Sequence, residues 1–394
     1  MYHLKKNNFL RGVIVGVFSF WIFNMIFVSN DIFAFKAFIN PNFKIAQIFN
    51  VLDKYYINKY DKQDAENSMY HGILDSLGDP YTCYIDKKTL ADFTQQIEGS
   101  YVGIGAVVSV DKTDDCLVII SPYENMPAAK AGILPGDKLL EVNDIKASKS
   151  NYEEIINMLR GQTGTAVRTK IFRPSENKTF EINIMREKID IPTVIHKVFN
   201  KNIGYLQIIS FDRNTHEQFL DAYKSIERNN LKGLIIDLRN NPGGLLDVVV
   251  KIADELVPKN CIVYTEDKCG EKKYFYSDDN YINLPLIILI NKNSASASEV
   301  LAGAIKDLKR GKLVGTKSFG KGLVQNLFNL SDGSAVKVTV AKYYTPAGIC
   351  INGTGIEPDY KIELAPENQD KLISSLDLNQ DLQLRKAIDL LKNN

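Results

Sequence analysis

The chain has 394 residues, of which 45% are apolar and 24% charged, and its formal net charge is +1. This length is enough for two or three domains, and the composition is that of an ordinary globular protein. A charge balance this close to zero produces no long-range field that would attract polyanions, so nothing supports nucleic-acid binding. The five cysteines show no CxxC spacing, which argues against a zinc site.

The N-terminus carries Lys5, Lys6 and Arg11, followed by an uncharged run over residues 12–30. As a helix this run would be roughly 28 Å long, about one hydrocarbon core. Both a cleaved signal and a retained anchor fit. We favour an anchor within residues 1–38, because the run is long for a signal and no clean small-x-small cleavage site follows it. The positive residues would then stay in the cytoplasm with the rest of the chain outside it; a cleaved segment would give a secreted protein.

Residues 39–98 are predicted to form a small helical domain with no chemistry of its own. Apolar residues recur at helical spacing over residues 41–60, and further helices are expected over 65–77 and 86–97. Glycine and proline in GDPYT end the second of these helices.

Residues 99–186 change to short strands separated by turns, with one helix over residues 151–161. We predict a strand over residues 100–110 and another over 116–123. The unit resembles a PDZ domain, and GIGAVV from Gly103 and AGILPGDKLLEVND from Ala131 carry that resemblance.

Residues 187–394 alternate strands and helices, the order of an α/β domain, and end in an amphipathic helix over residues 381–392. Cys261 and Cys269 flank a possible hairpin. A disulfide between them outside the cytoplasm remains open, although free buried thiols are the simpler interpretation.

The segment SASASE places Ser294, Ser296 and Ser298 between an apolar strand and an apolar helical run. A helix N-terminus favours a developing alkoxide or oxyanion, and the alanines allow a peptide to approach. A plain N-cap of small residues is the alternative. No histidine lies nearby in the sequence, so a nucleophilic serine would need another base.

Lys321, in FGKG, is the candidate base. Lysine has a pKa near 10.4 in water, and burial without a carboxylate partner lowers the pKa and makes the amine basic. Phe319 and the neighbouring apolar strands are expected to supply that burial, and Gln325 to orient the amine. A solvated loop lysine and a surface glutamine are the alternatives.

A third segment, DLRNNPGGLL, joins a buried strand to a helix. Gly243 and Gly244 expose backbone N–H groups there, and such a donor could pair with the N–H after the nucleophile to form an oxyanion hole. An ordinary glycine turn is the alternative.

Together, SASASE, FGKGLVQ and DLRNNPGG strongly resemble the carboxyl-terminal processing peptidases, or tail-specific proteases. The segments LGDPYT and GIEPD also match, and the resemblance extends from about residue 40 to the C-terminus. It implies a multidomain α+β protein whose α/β core is of the ClpP/crotonase-like type, and it implies no metal or organic cofactor.

The same resemblance assigns roles residue by residue. It implies Ser296 as the nucleophile, Lys321 as the general base and Gln325 as its assisting residue. It also implies oxyanion donors on the N–H of Gly243 or Gly244 and of Ala297, and Asp307 as a supporting acid. A surface charge is an equal alternative for Asp307. One departure is Ile349, where family members often carry a basic or polar residue.

The PDZ resemblance implies that a substrate's C-terminal carboxylate binds N–H groups of Gly103, Ile104 and Gly105. The function implied is an extracytoplasmic serine endopeptidase acting on proteins with free C-termini and gated by the PDZ domain. Residues 41–60 and 381–392 are candidate surfaces of a homodimer.

Two alternatives stay open. One is an inactive membrane-anchored PDZ scaffold that binds protein C-termini, which the intact Ser296, Lys321 and Gln325 argue against. The other is a penicillin-binding type of acyl enzyme, which needs Ser-x-x-Lys on one helix, whereas Glu299 stands three residues after Ser296.

Overall fold

The structure is a computed structural model, and it describes residues 41–111, 114–369, 371 and 373–392. The chain divides into two compact units, residues 1–70 and 71–394. Within the described ranges no helix has the length and apolar character needed to cross a membrane. The span predicted at residues 12–30 lies outside the described residues.

The first unit contains helix α1 (Pro41–Tyr55) and most of helix α2 (Lys62–Asp75). The amphipathic pattern predicted over residues 41–60 thus gives a helix that ends at Tyr55. The Lys62 ammonium lies 5.1 Å from the centroid of the Phe49 ring and bonds to Asp53 at 3.2 Å, which ties the two helices together.

The second unit opens with strand β1 (Cys83–Ile85) and helix α3 (Lys87–Glu98). Asp86 begins α3 as its N-cap by accepting from the Lys88 and Thr89 N–H groups, and Gly99 ends it in a left-handed conformation with φ +63°. The helices predicted over residues 65–77 and 86–97 are therefore confirmed with small shifts of their ends.

A small β-rich part follows, with its own hydrophobic core around Leu117, Ile155 and Val167. Its main sheet has the order β3-β4-β5-β7-β8, with β6 beside β5, and β2 pairs separately with β9. The single strand predicted over residues 100–110 is wrong, because Gly105 turns the chain at φ +73°. The elements are β2 (Ser100–Gly103), β3 (Ala106–Val110), β4 (Leu117–Pro122), α4 (Pro127–Lys130), β5 (Lys138–Val142), β6 (Ile145–Lys146), α5 (Tyr152–Leu159), β7 (Ala166–Arg173), β8 (Lys178–Met185) and β9 (Glu187–Asp190).

The remaining chain forms two sheets. The central one is the mostly parallel sheet that the alternation of strands and helices predicts. The elements are β10 (Val194–Phe199), β11 (Ile203–Ile208), α6 (Thr215–Glu227), β12 (Gly233–Asp237), α7 (Leu246–Asp254), β13 (Cys261–Asp267), β14 (Lys272–Tyr276), β15 (Leu286–Ile290), α8 (Ala297–Asp307), β16 (Lys312–Gly315), β17 (Leu323–Asn329), β18 (Ala335–Tyr344), β19 (Tyr360–Lys361) and α9 (Leu382–Lys392).

The central sheet has the order β10-β11-β12-β15-β16-β19, parallel except for the β10–β11 pair. Strands β12 and β15 are apolar throughout because helices cover both of their faces. Alternate residues contact α6, α7 and α8 on one face, whereas Ile235, Ile287 and Leu289 contact α9 on the other. The apolar side of the 381–392 segment is thus buried against this sheet, which leaves its polar side for any second copy.

The second sheet has the order β1-β18-β13-β14, and β17 pairs with β18. Residues of β18 that pair with β1 also pair with β17, so β17 occupies the opposite edge. The possible hairpin is real: β13 and β14 pair antiparallel, Cys269 is exposed in their turn, and all five cysteines carry free thiols. The described residues therefore form a multidomain α+β protein, as predicted.

Candidate active site

The turn from β15 to α8 presents Ser296 differently from its two neighbours. The hydroxyls of Ser294 and Ser298 are buried and donate to the backbone carbonyls of Leu238 and Asn241 at 2.8 and 3.0 Å. Ser296 is the partly exposed N-cap of α8 and has φ +56° and ψ −114°, a conformation that L-residues rarely adopt. Strain of this kind persists where the surroundings hold it, and it is common at functional sites.

Ser296 lines a cavity of about 720 Å³. Lys321, Gln325, Gly243 and Ala297 line the same cavity, so the structure brings the predicted site residues from three segments together. The edge strand β17 forms one wall through Leu323, Val324, Gln325, Asn326 and Leu327.

Lys321 is half-buried, and its ammonium lies 4.5 Å from the centroid of the Tyr81 ring. Burial lowers the pKa of Lys321, the positive charge of Lys337 lowers it further, and Asp79 and Glu299 oppose both. The expectation that Phe319 buries this lysine is wrong, because the Phe319 side chain is itself 58% exposed and Tyr81 lies against the amine instead.

Among the described residues, no hydrogen bond joins Lys321 Nζ to Ser296 Oγ. Gln325 does not contact the lysine amine through a hydrogen bond either: its Nε2 donates to Thr339 Oγ1 at 3.4 Å. The three residues predicted to act together thus share one cavity without being hydrogen-bonded to one another.

The N–H groups predicted to form the oxyanion hole differ in whether they are already hydrogen-bonded. The Gly243 N–H donates to the Asn241 side chain at 2.8 Å. Within the described part of the chain, the N–H groups of Gly244 and Ala297 meet no hydrogen-bond acceptor. Gly243 lies directly against the nucleophile turn, since a Cβ on it would come within 2.8 Å of Ala295 O and of Ser296 Cβ.

Glu299 links the nucleophile turn to the lysine loop. The carboxylate is fully buried, and its Oε2 accepts from the Ser296 N–H at 2.9 Å and the Lys321 N–H at 2.8 Å. Its Oε1 accepts from the Ser318 hydroxyl at 2.6 Å and the Gly320 N–H at 2.7 Å. One side chain therefore fixes the backbone of both proposed catalytic residues.

Tyr343 makes a second link between the same two residues. Its hydroxyl oxygen lies 2.9 Å from the Ser296 carbonyl oxygen and also within hydrogen-bond distance of the Lys321 carbonyl oxygen, so the two carbonyls share its single proton. Burial raises the pKa of Tyr343 well above its ordinary value, so the phenol stays protonated and remains a donor.

Asp307 is away from this cluster, at the far end of α8. Asp307 is eleven positions after Ser296, which is about 16 Å along a helix. Its carboxylate accepts from the Ala347 N–H at 2.9 Å and so holds the turn that contains Ile349, whose side chain is 55% exposed.

The loop predicted to bind a substrate carboxylate lies in the β-rich part. Gly103 pairs with Glu187 at the end of β2, and the side chain of Ile104 is buried in the local core. The carbonyls of Ile104 and Gly105 accept from the Ala128 and Tyr123 N–H groups. These bonds fix the shape of the loop.

One cluster has the composition of a cation site: Asp111, Asp114 and Cys116 have ligand atoms within 4.8 Å of one another. The ammonium of Lys138 already pairs with both carboxylates. We therefore assign no metal to it.

Sequence reasoning missed Glu299, Tyr343, Asp79 and Tyr81 as members of this site. The sequence did contain a signal for Glu299, because a glutamate three residues after a serine N-cap is typical of a capping box. Tyr81 and Asp79 belong to GDPYT, which the sequence marks as a helix stop and as part of a segment that matches the family, but which carried no predicted role in the site. Strand β1 brings that segment to the site by pairing with β18.

Comparison with known proteins adds independent findings. Family models match residues 202–362 (peptidase family S41), 118–173 (PDZ domain) and 35–89 (the N-terminal domain of the activating protease CtpB). The carboxy-terminal processing protease CtpB of Bacillus subtilis is 35% identical over 325 residues, covering 81% of this chain and 67% of that protein. A CtpA-like serine protease of Staphylococcus aureus is 34% identical over 369 residues, covering 92% and 73%.

A crystal structure of an S41 protease from Bacteroides fragilis covers 86% of this chain and 91% of its own, with a TM-score of 0.53 and 14% identity. At that identity the likeness concerns the fold alone. The two relatives above 30% identity, matched over two thirds or more of their length, establish the relationship. The chain belongs to peptidase family S41, with a PDZ domain and a CtpB-type N-terminal domain.

Proposed function

We propose that this S41 peptidase is a carboxyl-terminal processing endopeptidase in which Ser296 is the nucleophile and Lys321 the general base. The observation that carries the assignment is the shared cavity: the strained, partly exposed Ser296 and the half-buried Lys321 line it together. Its neighbours Ser294 and Ser298 have hydroxyls committed to backbone carbonyls, which leaves Ser296 as the serine that can meet a substrate.

In the proposed reaction, neutral Lys321 takes the proton of Ser296 as the serine oxygen attacks the scissile carbonyl. The N–H groups of Ala297 and Gly243, or of Gly244, stabilise the oxyanion. The lysine ammonium then protonates the leaving amine, and a water activated by the same lysine releases the acyl-enzyme. No step requires a metal or an organic cofactor.

Three features support a resting state before this reaction. Lys321 Nζ lies on the Tyr81 ring, Gln325 bonds to Thr339, and the Gly243 N–H bonds to Asn241. Each contact occupies a group that the mechanism needs elsewhere. A PDZ domain that binds a substrate tail is the proposed switch from this state to the reactive one.

Substrates are proposed to be unfolded or loosely structured proteins with a free C-terminus. The tail adds as a strand beside β3, with its carboxylate near Gly103, Ile104 and Gly105. The scissile segment enters the cavity along the open edge of β17. Deleting residues 100–186 should change kcat on a short peptide that is too small to need tail binding. An unchanged kcat would remove the PDZ domain from the switch.

The test of the dyad uses the purified full chain with casein as an unfolded substrate. Wild type should cleave it, and Ser296→Ala and Lys321→Ala should each lose at least about 10³-fold in rate. Cleavage that survives Ser296→Ala would reject the assignment of the nucleophile. If wild type is inert, a peptide with a free hydrophobic C-terminus is added: activation indicates a closed resting state, and continued inertness indicates an inactive PDZ scaffold.

We also infer an extracytoplasmic location, with residues 1–38 as a membrane anchor and the N-terminus in the cytoplasm. The support is the uncharged run at residues 12–30 behind Lys5, Lys6 and Arg11. External protease added to intact cells should digest the catalytic domain; full protection would contradict this topology. A homodimer stays a prediction, which sedimentation of the purified chain would test.

A further inference from the structure

The loop of residues 78–82 contacts the side chain of Lys321 directly and is joined to that of Gln325 through Thr339. Through Tyr81 it contacts the amine of Lys321, at 4.5 Å from the ring centroid. Through Thr82 it contacts β18, because the Thr339 N–H donates to Thr82 Oγ1 at 3.0 Å. Thr339 in turn accepts the hydrogen bond from Gln325.

Hydrogen bonds within the loop join the residues that make its two contacts. The Asp79 carboxylate accepts from the Tyr81 N–H at 3.0 Å and from the Thr82 hydroxyl at 2.6 Å. Burial opposes ionisation of Asp79, but hydrogen bonds from Thr339, Thr82 and Tyr81 outweigh it and lower its pKa. Asp79 is therefore a carboxylate at neutral pH, close enough to Lys321 to favour the ammonium form.

We propose that Tyr81 and Asp79 form a retaining site for the general base: they hold the Lys321 ammonium away from Ser296 until the loop is displaced. Tyr81 is a positioning residue in this scheme. Its ring face attracts a cation and gains nothing from a neutral amine, so it binds the protonated lysine that cannot act as a base. The inference rests on the proposed Ser296–Lys321 chemistry.

Among the described residues, the charged groups that act on the Lys321 amine divide into those that favour its ammonium form and those that disfavour it. Asp79 and Glu299 favour the ammonium, and Lys337 on β18 disfavours it together with burial. Tyr343 lies near through its hydroxyl on the Lys321 carbonyl, and it stays neutral. Tyr81 adds its π face to the side that favours the ammonium. Removing Tyr81 or the charge of Asp79 should therefore favour the neutral, basic lysine.

The experiment compares wild type with Tyr81→Leu, Tyr81→Phe and Asp79→Asn. The pH dependence of kcat/KM is measured on a short quenched peptide, since its acid limb reports the base of the free enzyme. Tyr81→Leu should move the acid limb to lower pH and raise kcat/KM at pH 6 about three- to tenfold, mostly through kcat. Tyr81→Phe keeps the ring face and should restore the wild-type limb. Asp79→Asn keeps the turn and should shift the limb in the same direction as Tyr81→Leu.

An acid limb that stays in place in Tyr81→Leu, or that moves equally in Tyr81→Leu and Tyr81→Phe, overturns the proposal. A change confined to KM also overturns it, because it makes Tyr81 a substrate contact. Melting curves identify a Tyr81→Leu variant that does not fold, in which case Asp79→Asn decides alone. Failure of the proposed function is separate: it appears as activity that survives Ser296→Ala, whatever the Tyr81 variants do.

Discussion

Glu299 is the residue through which the backbone of the nucleophile and that of the base are fixed together. A glutamine at this position offers one acceptor oxygen where the carboxylate meets four donors, and its NH₂ group would face donors. Because misplacement of reacting groups by about 1 Å costs about 10²-fold in rate, we expect Glu299→Gln to lower kcat by about 10²-fold or more. Casein or peptide cleavage measures it.

The matched control is Glu357→Gln, whose carboxylate is exposed and pairs with Lys317. An exposed pair of this kind contributes at most about 1 kcal/mol, so this variant should cleave at the wild-type rate. Equal rates for the two variants would mean that Glu299 does not position the site.

A substitution at Lys337 tests whether nearby charge sets the pKa of Lys321, and it should raise that pKa, whereas the Tyr81 and Asp79 variants should lower it. Burial is the largest cause of the lowered pKa of Lys321, and the charge of Lys337 is the next. Neutralising Lys337 therefore raises the pKa of Lys321, and the fraction of neutral base at a given pH falls. Lys337→Gln should move the acid limb of kcat/KM to higher pH and reduce the rate at pH 7 several-fold. Lys342 is an exposed lysine on the same strand, and Lys342→Gln should leave the acid limb in place. A shift of the acid limb in both variants would indicate a general effect of net charge.

At the scale of single residues, the sequence predicted the catalytic candidates better than their partners. Ser296, Lys321 and Gln325 lie in short segments with glycine or small residues around them, and these segments line one cavity. Tyr81 is far from Lys321 in sequence, and its aromatic side chain resembles any half-buried tyrosine. The pairing of β1 with β18 and the hydrogen bond from Thr339 to Thr82 bring the two together, and no local pattern in the sequence encodes either contact.

The turn between β12 and α7 shows how an element controls the site through its glycines. Gly243 has φ +107°, and a Cβ there would lie 2.8 Å from Ala295 O and 3.0 Å from Ala297 N. We expect Gly243→Ala to displace the nucleophile turn or the oxyanion donor and to lower kcat about 10²- to 10³-fold. Gly270→Ala is the matched control, because Gly270 also has positive φ (+82°) but open space around it. Similar losses of kcat in both variants would make the effect one of folding.

Regular elements were predictable where one face is clearly apolar. The C-terminal helix predicted over residues 381–392 begins at Leu382, one residue later than predicted, and ends at Lys392 as predicted. Strand β17 was not predicted, because LVQNLFN mixes apolar and polar residues without clean alternation. Strand β17 lies at the edge of its sheet and also forms a wall of the cavity, which accounts for the mixed pattern.

At the scale of the whole molecule, the order of domains followed from composition and motif order, whereas the contacts between distant segments did not. The C-terminal helix α9 illustrates this, since its amphipathic pattern predicts burial but not the partner. In the structure Arg239 is fully buried and bonds to Asp237 at 2.6 Å on one side and to Asp381 at 2.7 Å on the other. Tyr205 adds a hydrogen bond to Asp237 at 2.8 Å. The start of α9 is thus joined to the turn that carries Asn241 and Gly243.

This buried network should make the C-terminal segment necessary for the stability of the core. Asp381→Ala leaves the Arg239 guanidinium with one carboxylate instead of two, and an incompletely paired buried charge costs about 3–5 kcal/mol. We expect the free energy of unfolding of the core to fall by about that amount in urea titrations. Asp389→Ala, an exposed acid on the same helix, should change it by less than about 0.5 kcal/mol. Because the network adjoins the oxyanion turn, Asp381→Ala should also lower kcat under conditions where the protein remains folded. A variant as stable and active as wild type would mean that α9 is held by its apolar face alone.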